Sequence, residues 1–129
     1  MVVFSQSLRE NLVALILQIM ANEFPEDQSS ELAKQFIEIG TSIYTAIEGQ
    51  NPEKGKITLW TGKMLGDLMI TYIKGGANTE AGKIMKKLGQ GSPDVIGVAD
   101  VNALKMFLEV AIKEDNAPMC LVSSNELIR

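Results

Sequence analysis

The sequence contains no histidine and a single cysteine, Cys120. The first absence removes the commonest general base and the commonest metal ligand of proteins. Serine–histidine triads, cysteine–histidine dyads and mixed histidine–cysteine zinc sites are therefore excluded within the chain. The lone thiol cannot close an intrachain disulfide, so no disulfide framework holds the fold. Long apolar runs are also missing. The longest unbroken one is 12–17, well short of the about 20 residues that a membrane-spanning helix requires. No Asn-x-Ser/Thr acceptor occurs. The apolar start lacks the net positive flank of a secretory signal, because Glu10 cancels Arg9 and Gln18 interrupts the stretch. Ser7 and Glu10 read instead as a helix-opening capping box. A cytoplasmic location is the expectation, with no membrane partner.

What is present is apolar and moderately charged. Of 129 residues, 46% are hydrophobic and 22% charged, too apolar for a disordered chain. This length fits one domain and buries roughly two-thirds of the surface of the unfolded chain. Leu8, Leu12, Leu15, Ile16, Ile19 and Met20 recur at three- and four-residue steps and predict a helix over about 7–22, with these residues on one face. Phe24-Pro25 interrupts it. Leu32, Phe36, Ile39, Ile43 and Ile47 form the stripe of a second, half-buried helix, which Gly49 closes in a left-handed conformation. A third helix is expected over 57–74, with a short strand at 57–60 as the alternative reading. A fourth follows over 79–88 behind Asn78 or Thr79. Gly89-Gln90-Gly91 lacks the preceding strand of a dinucleotide fingerprint and reads as a hinge. Ser92-Pro93 offers a single helical turn. Asp100 caps a fifth helix carrying Val101, Leu104, Phe107, Leu108, Ala111 and Ile112. Pro118 then separates a tail. The expected organisation is a helical domain over 1–115 and a C-terminal tail over 116–129. One internal echo, at an offset of 26, pairs Gly40 with Gly66, Thr45 with Thr71, Ile47 with Ile73 and Gly49 with Gly75.

Three features could carry function. Gly62 and Gly66 share one face of the third helix, where glycine costs about 1 kcal/mol against alanine and so asks for a packing reason. Tight packing within one subunit and a helix–helix contact between subunits both supply one. The charge is segmented. Residues 1–53 hold two basic and eight acidic groups, 54–87 seven and two, and 88–129 three and six, giving nets of −6, +5 and −3. The basic block comprises Lys54, Lys56, Lys63, Lys74, Lys83, Lys86 and Lys87, without arginine and without interleaved aromatics beyond Trp60 and Tyr72. It reads as a solvated face, as a register-setting patch for self-association, or as a nucleic-acid contact. Carboxylates at Glu26-Asp27, Asp94, Asp100 and Glu114-Asp115 sit at helix ends and match no calcium loop. Cys120, between Met119 and Leu121, reads as an inert thiol.

Glu31-Leu32-Ala33-Lys34-Gln35-Phe36 through Ile43-Tyr44-Thr45-Ala46-Ile47-Glu48-Gly49 resembles a helix recurrent in small structural proteins of tailed bacteriophages. Leu68 to Gly75 is similar. The resemblance implies a virion part such as a neck, tail-completion or head-associated subunit, working by self-association, and carries over no individual site residue.

The expectation is an all-α fold, a compact bundle of four to five helices with a C-terminal tail. Its leading function is a non-enzymatic structural or assembly protein, a phage virion component on the resemblance above. Copies of itself and other virion proteins are the expected partners, and nucleic acid is not. Its location is host cytoplasm, then virion. The expected interface is Gly62, Gly66, Lys63, Lys83, Lys86 and Lys87. No cofactor and no metal site are expected. The rivals are a small intracellular protein-binding module (adaptor, inhibitor or regulator) and a nucleic-acid-associated protein using the lysines of 54–87.

Overall fold

A computed structural model describes residues 6–49, 60–89 and 95–128. The elements run α1 (Gln6–Asn22), α2 (Glu31–Glu48), β1 (Trp60–Thr61), α3 (Gly62–Lys74), α4 (Asn78–Gly89), β2 (Val95–Ile96), α5 (Val101–Lys113) and α6 (Ala117–Leu127). The fold is all-α, with six helices among the described residues. The expected count of four to five falls short because most of the expected tail is itself a helix. Pro118 lies in the first turn of α6, where its missing N–H has no partner to lose. Met119, Ser123 and Glu126 are buried along it. The boundary expected at 115 therefore falls inside a helical hairpin.

Local chemistry sets the helix starts. The Ser30 hydroxyl accepts from the Ala33 N–H at 3.2 Å and the Thr61 hydroxyl from Met64 at 3.1 Å. The carboxylate of Asp100 accepts from Asn102 at 2.8 Å and the Asn116 carbonyl oxygen from Met119 at 3.3 Å. Each cap satisfies an amide that the helix cannot. The third helix begins later than the expected 57. Trp60 and Thr61 are extended and pair in parallel with Val95 and Ile96, so the strand alternative holds for Trp60, while 57–59 lie outside the described residues. The readings placed on Gln90-Gly91 and on Ser92-Pro93 also lie outside them.

Helix ends correct another expectation. Gly49 is right-handed at φ −82°. The left-handed residues are Gly76 (φ 77°), Gly97 (φ 78°) and Asp115 (φ 55°). Gly76 and Asp115 occupy equivalent turns. The Gly76 N–H donates to Ile73 at 3.0 Å and that of Ala77 to Tyr72 at 2.8 Å. The Asp115 N–H donates to Ile112 at 3.0 Å and that of Asn116 to Ala111 at 2.9 Å. Both are Schellman turns.

That equivalence extends over two whole hairpins. α5 opens at Val101, 39 positions after Gly62, and α6 at Ala117, 39 after Asn78. The caps Thr61 and Asp100 and the left-handed residues Gly76 and Asp115 keep the same offset. The hairpins stack, first helix on first and second on second. Two stacked units of this kind are the elementary step of a helical solenoid. The echo at an offset of 26 is not this repeat. It relates α2 to α3, which pack on one another where Leu68 meets Gly40.

α3 lies at the centre. Leu65, Leu68, Met69 and Tyr72 are buried against Leu17 and Met20 of α1, Ile84 and Met85 of α4, and Leu104 and Phe107 of α5. α1 is turned so that only part of its predicted stripe is buried. Leu17, Met20 and Ala21 are buried, whereas Leu12, Leu15, Ile16 and Ile19 are 41–50% exposed. The helix is apolar on both sides, so its periodicity does not choose a face. α2 likewise buries Ala33 and Gly40 and leaves Leu32 and Ile39 at its exposed edge.

The close approach of the hairpins rests on small residues. A Cβ at Gly62 would fall on the Val98 carbonyl and lie 2.6 Å from the Ala99 nitrogen. One at Gly66 would meet the Ala103 and Ala99 methyls at 3.3 and 3.4 Å, and one at Gly82 would meet nothing within 4 Å. Gly62→Ala is therefore expected to destabilise by about 1–3 kcal/mol through overpacking against backbone. Gly66→Ala should be close to neutral, and Gly82→Ala should stabilise by up to about 1 kcal/mol from helix propensity. Urea unfolding of the three variants checks the order.

Candidate functional site

The residues expected to form an interface go to different places. Gly62 and Gly66 are buried against the 98–103 segment of their own chain, so packing within the subunit accounts for both. Lys63 pairs with Asp67 one turn on, at 2.9 Å. Lys87 is largely covered and pairs with Glu48 at 2.9 Å. Of the other lysines in the basic block, Lys74 donates to the Ala21 carbonyl at 2.7 Å, tying the end of α3 to that of α1. Lys54 and Lys56 lie outside the described residues. Lys83 and Lys86 alone of the described block are exposed and engage no other side chain.

These two lysines border a cleft of about 330 Å³ among α4, α5 and α6. The floor is apolar, formed by Phe107, Val110, Ala111 and Met119. Asn78 and Glu114 close one side, with the Asn78 amide donating to the Glu114 carboxylate at 2.9 Å. The cleft exists because of the hairpin turns. Each turn swings its second helix back along the first, and the stack brings the start of α4 beside the end of α5 and the start of α6. Gly82, facing the cleft, leaves space that a side chain would occupy. An apolar floor with a few convergent polar groups is the usual build of a small-ligand site, roughly 300–1,000 Å³ in volume. Sequence reasoning selects Lys83 and Lys86 but misses their cleft partners. Asn78 reads only as a candidate cap, Glu114 as an ordinary helix-end acid and Asn116 as the start of a tail, because only the stacking brings them together.

A second polar cluster is structural. The indole N–H of buried Trp60 donates to Glu48 at 2.8 Å, on the carboxylate oxygen that also receives Lys87. Tyr44 stacks on Trp60 with ring centroids 5.4 Å apart. One carboxylate thus joins α2, β1 and α4. Asp67 is buried on α3, and burial raises its carboxyl above its ordinary value. The Lys63 ammonium pulls it back and Asp100 adds a smaller push upward. Cys120 is half-buried with a free thiol.

The structure thus defines a class of protein, a stack of capped helical hairpins with a basic-rimmed cleft. Over 124 residues, 94% of this chain, the sequence is 25% identical to the small ribosomal subunit protein mS39 of Drosophila melanogaster. The match covers 19% of that protein, so the chain spans about a fifth of its relative's length. No known protein family matches the chain, and no solved structure matches it.

This relationship overturns the resemblance to phage structural proteins. That resemblance rested on two short helical stripes, which any half-buried helix approaches, whereas the ribosomal match runs along almost the whole chain. The virion function, the virion partners, the route through host cytoplasm to virion and the primacy of self-association are corrected with it. So is the expectation that nucleic acid is not a partner. The intracellular binding module and the undivided lysine block of 54–87 are likewise set aside.

Two measurements test these polar clusters. Glu48→Ala leaves the buried Trp60 N–H unpaired and is expected to cost about 1–3 kcal/mol. Trp60 is the only tryptophan, so a shift in its emission reports the loss directly. For Asp67, a raised folded-state pKa means that the folded protein binds the proton more tightly than the unfolded chain. Its contribution is therefore most favourable at acid pH and falls as pH rises through the raised value. Wild type should lose stability relative to Asp67→Asn over that window, as followed by chemical denaturation at stepped pH.

Proposed function

We propose that the chain is a non-enzymatic helical scaffold of an RNA–protein particle of the ribosomal small-subunit kind, in contact with RNA and with neighbouring proteins. The observation that carries this is the match to a small ribosomal subunit protein over 94% of the chain. Two features of the chain fit the role. Stacked hairpins make a continuous core with extended surfaces on either side, an architecture suited to bridging partners rather than enclosing a substrate. The exposed Leu12, Leu15, Ile16 and Ile19 on α1 give one such surface an apolar stripe at helical spacing. The missing histidine also removes the most common acid–base chemistry from the chain.

Expressed with an affinity tag in Drosophila cells, where the relative occurs, the protein is expected to sediment in density gradients with the small-subunit peak. It should be recovered with that subunit's RNA after ultraviolet crosslinking. Sedimentation only at the top of the gradient, with no crosslinked RNA, would overturn the proposal.

A further inference from the structure

We infer that the outer face of α1 is a docking surface for a basic amphipathic helix of a neighbouring protein. The assignment rests on the preceding reading for the presence of a protein neighbour and goes beyond it in naming the face and the chemistry of what covers it.

Three observations converge. The first is the stripe. Leu12, Ile16, Ile19 and Glu23 follow one another at steps of four, three and four residues, with Leu15 alongside, so they share one line of the helix. The four aliphatic side chains are all exposed. From Leu12 to Glu23 the line runs about 16 Å, at about 1.5 Å per residue, which matches three turns of a second helix. Side chains of this size interdigitate with those of a partner helix at an ordinary helix–helix distance. The second is rigidity. Leu17 and Met20, on the inner side of α1, are held in the core, and the Lys74 ammonium ties the last turn through the Ala21 carbonyl at 2.7 Å. The stripe is therefore presented on a fixed element, and little ordering is needed when a partner arrives. The third is charge, which selects the occupant. Residues 10–48 hold seven carboxylates and one lysine, Lys34. Glu23 and Glu26 are exposed at the C-terminal end of the stripe, and α1 has no basic residue in its own last turn, where the helix dipole is negative. A phosphodiester strand or an anionic bilayer meets repulsion there. A helix with lysine or arginine flanking its apolar face meets complementary charge.

Ile112 on α5 and Leu121 on α6 supply an internal control. They are 63% and 64% exposed, more than any residue of the stripe. General stickiness of exposed aliphatic groups would act through them as well, whereas docking on α1 would not.

The experiment is fluorescence anisotropy of the purified protein with a labelled synthetic helix, across a salt series. The probe carries leucines at three- and four-residue spacing, flanked by lysines. One comparison peptide has glutamates in place of the lysines, and another has the same composition with the leucine stripe scrambled. Oligo(U) and phosphatidylglycerol vesicles serve as competitors. The lysine helix is expected to bind, and both comparison peptides to bind about tenfold more weakly or less. Ile16→Gln with Ile19→Gln should weaken the lysine helix about tenfold with an unchanged melting temperature, because apolar contact is lost from an exposed face. Glu23→Gln with Glu26→Gln should weaken it about threefold and flatten its salt dependence. Ile112→Gln with Leu121→Gln should leave it unchanged. The assignment is overturned if the lysine helix does not bind, if the glutamate helix binds as tightly, or if Ile16→Gln with Ile19→Gln binds like wild type. It is equally overturned if Ile112→Gln with Leu121→Gln weakens binding as much, or if oligo(U) or the vesicles displace the probe and bind through Ile16 and Ile19 themselves. Failure here beside intact sedimentation with the small subunit would remove the docking face and leave the particle. The reverse pattern would keep the docking face and remove the particle.

Discussion

The contact on which the rest of the structure depends is the near-touching of α3 and the segment leading into α5. Gly62 lets the Val98 carbonyl approach to where a side chain would stand, and Gly66 seats against the Ala99 and Ala103 methyls. Helices packed this closely leave little freedom in register, because interiors have the density of organic crystals. The two short strands pair as a consequence, Trp60 beside Val95 and Thr61 beside Ile96. The second helices then meet where Gly89 faces Val122. A cleft opens between them and α5 because the hairpins are stacked rather than interleaved.

Electrostatics is subordinate to this packing, and it sorts the charges. The alternating acidic, basic and acidic blocks look like a surface pattern when read along the chain. In the fold, part of the basic block acts inward. Lys87 meets the Glu48 carboxylate that also accepts from Trp60, Lys74 holds the last turn of α1, and Lys63 offsets the burial of Asp67. Such contacts fix relative positions, because each ties a covered polar group to a particular partner that its loss would leave unpaired. Their consequence for function is subtractive. Of the five lysines of the block among the described residues, only Lys83 and Lys86 are left exposed without a side-chain partner, and both border one cleft.

Stacked hairpins also explain how a short chain can be related to a much longer protein. In quasi-one-dimensional folds each unit contacts mainly its neighbours, so a stretch of units keeps a core of its own. The described residues behave that way. α3 and α4 are covered on one side by α5 and α6, and α3 is covered on the other by α1 and α2. The outer side of α1 keeps Leu12, Leu15, Ile16 and Ile19 in the open.

The sequence by itself determined where most helices lie and what begins them. The stripe through 32–47, the cap at Asp100, and the stops near Gly49 and Gly75 are local properties, written in side chains that compete for backbone amides or cannot continue a helix. It also determined that histidine chemistry is absent and that Gly62 and Gly66 need a packing reason. Only the tertiary structure decided which face of α1 is buried, because a helix apolar on both sides carries no periodic preference. It decided that the segment after Pro118 is a helix, since that helix is held by Met119 and Ser123 against its neighbours rather than by its own amphipathic pattern. The repeat was invisible for a related reason. Across the offset of 39, identity survives at Leu65 and Leu104, Ile73 and Ile112, Lys74 and Lys113, and Leu88 and Leu127. Gly76 and Asp115 share a backbone conformation and no side chain. Two different residue types reach the same left-handed turn, so the equivalence lies in dihedral angles and hydrogen bonds, and only the folded chain displays those.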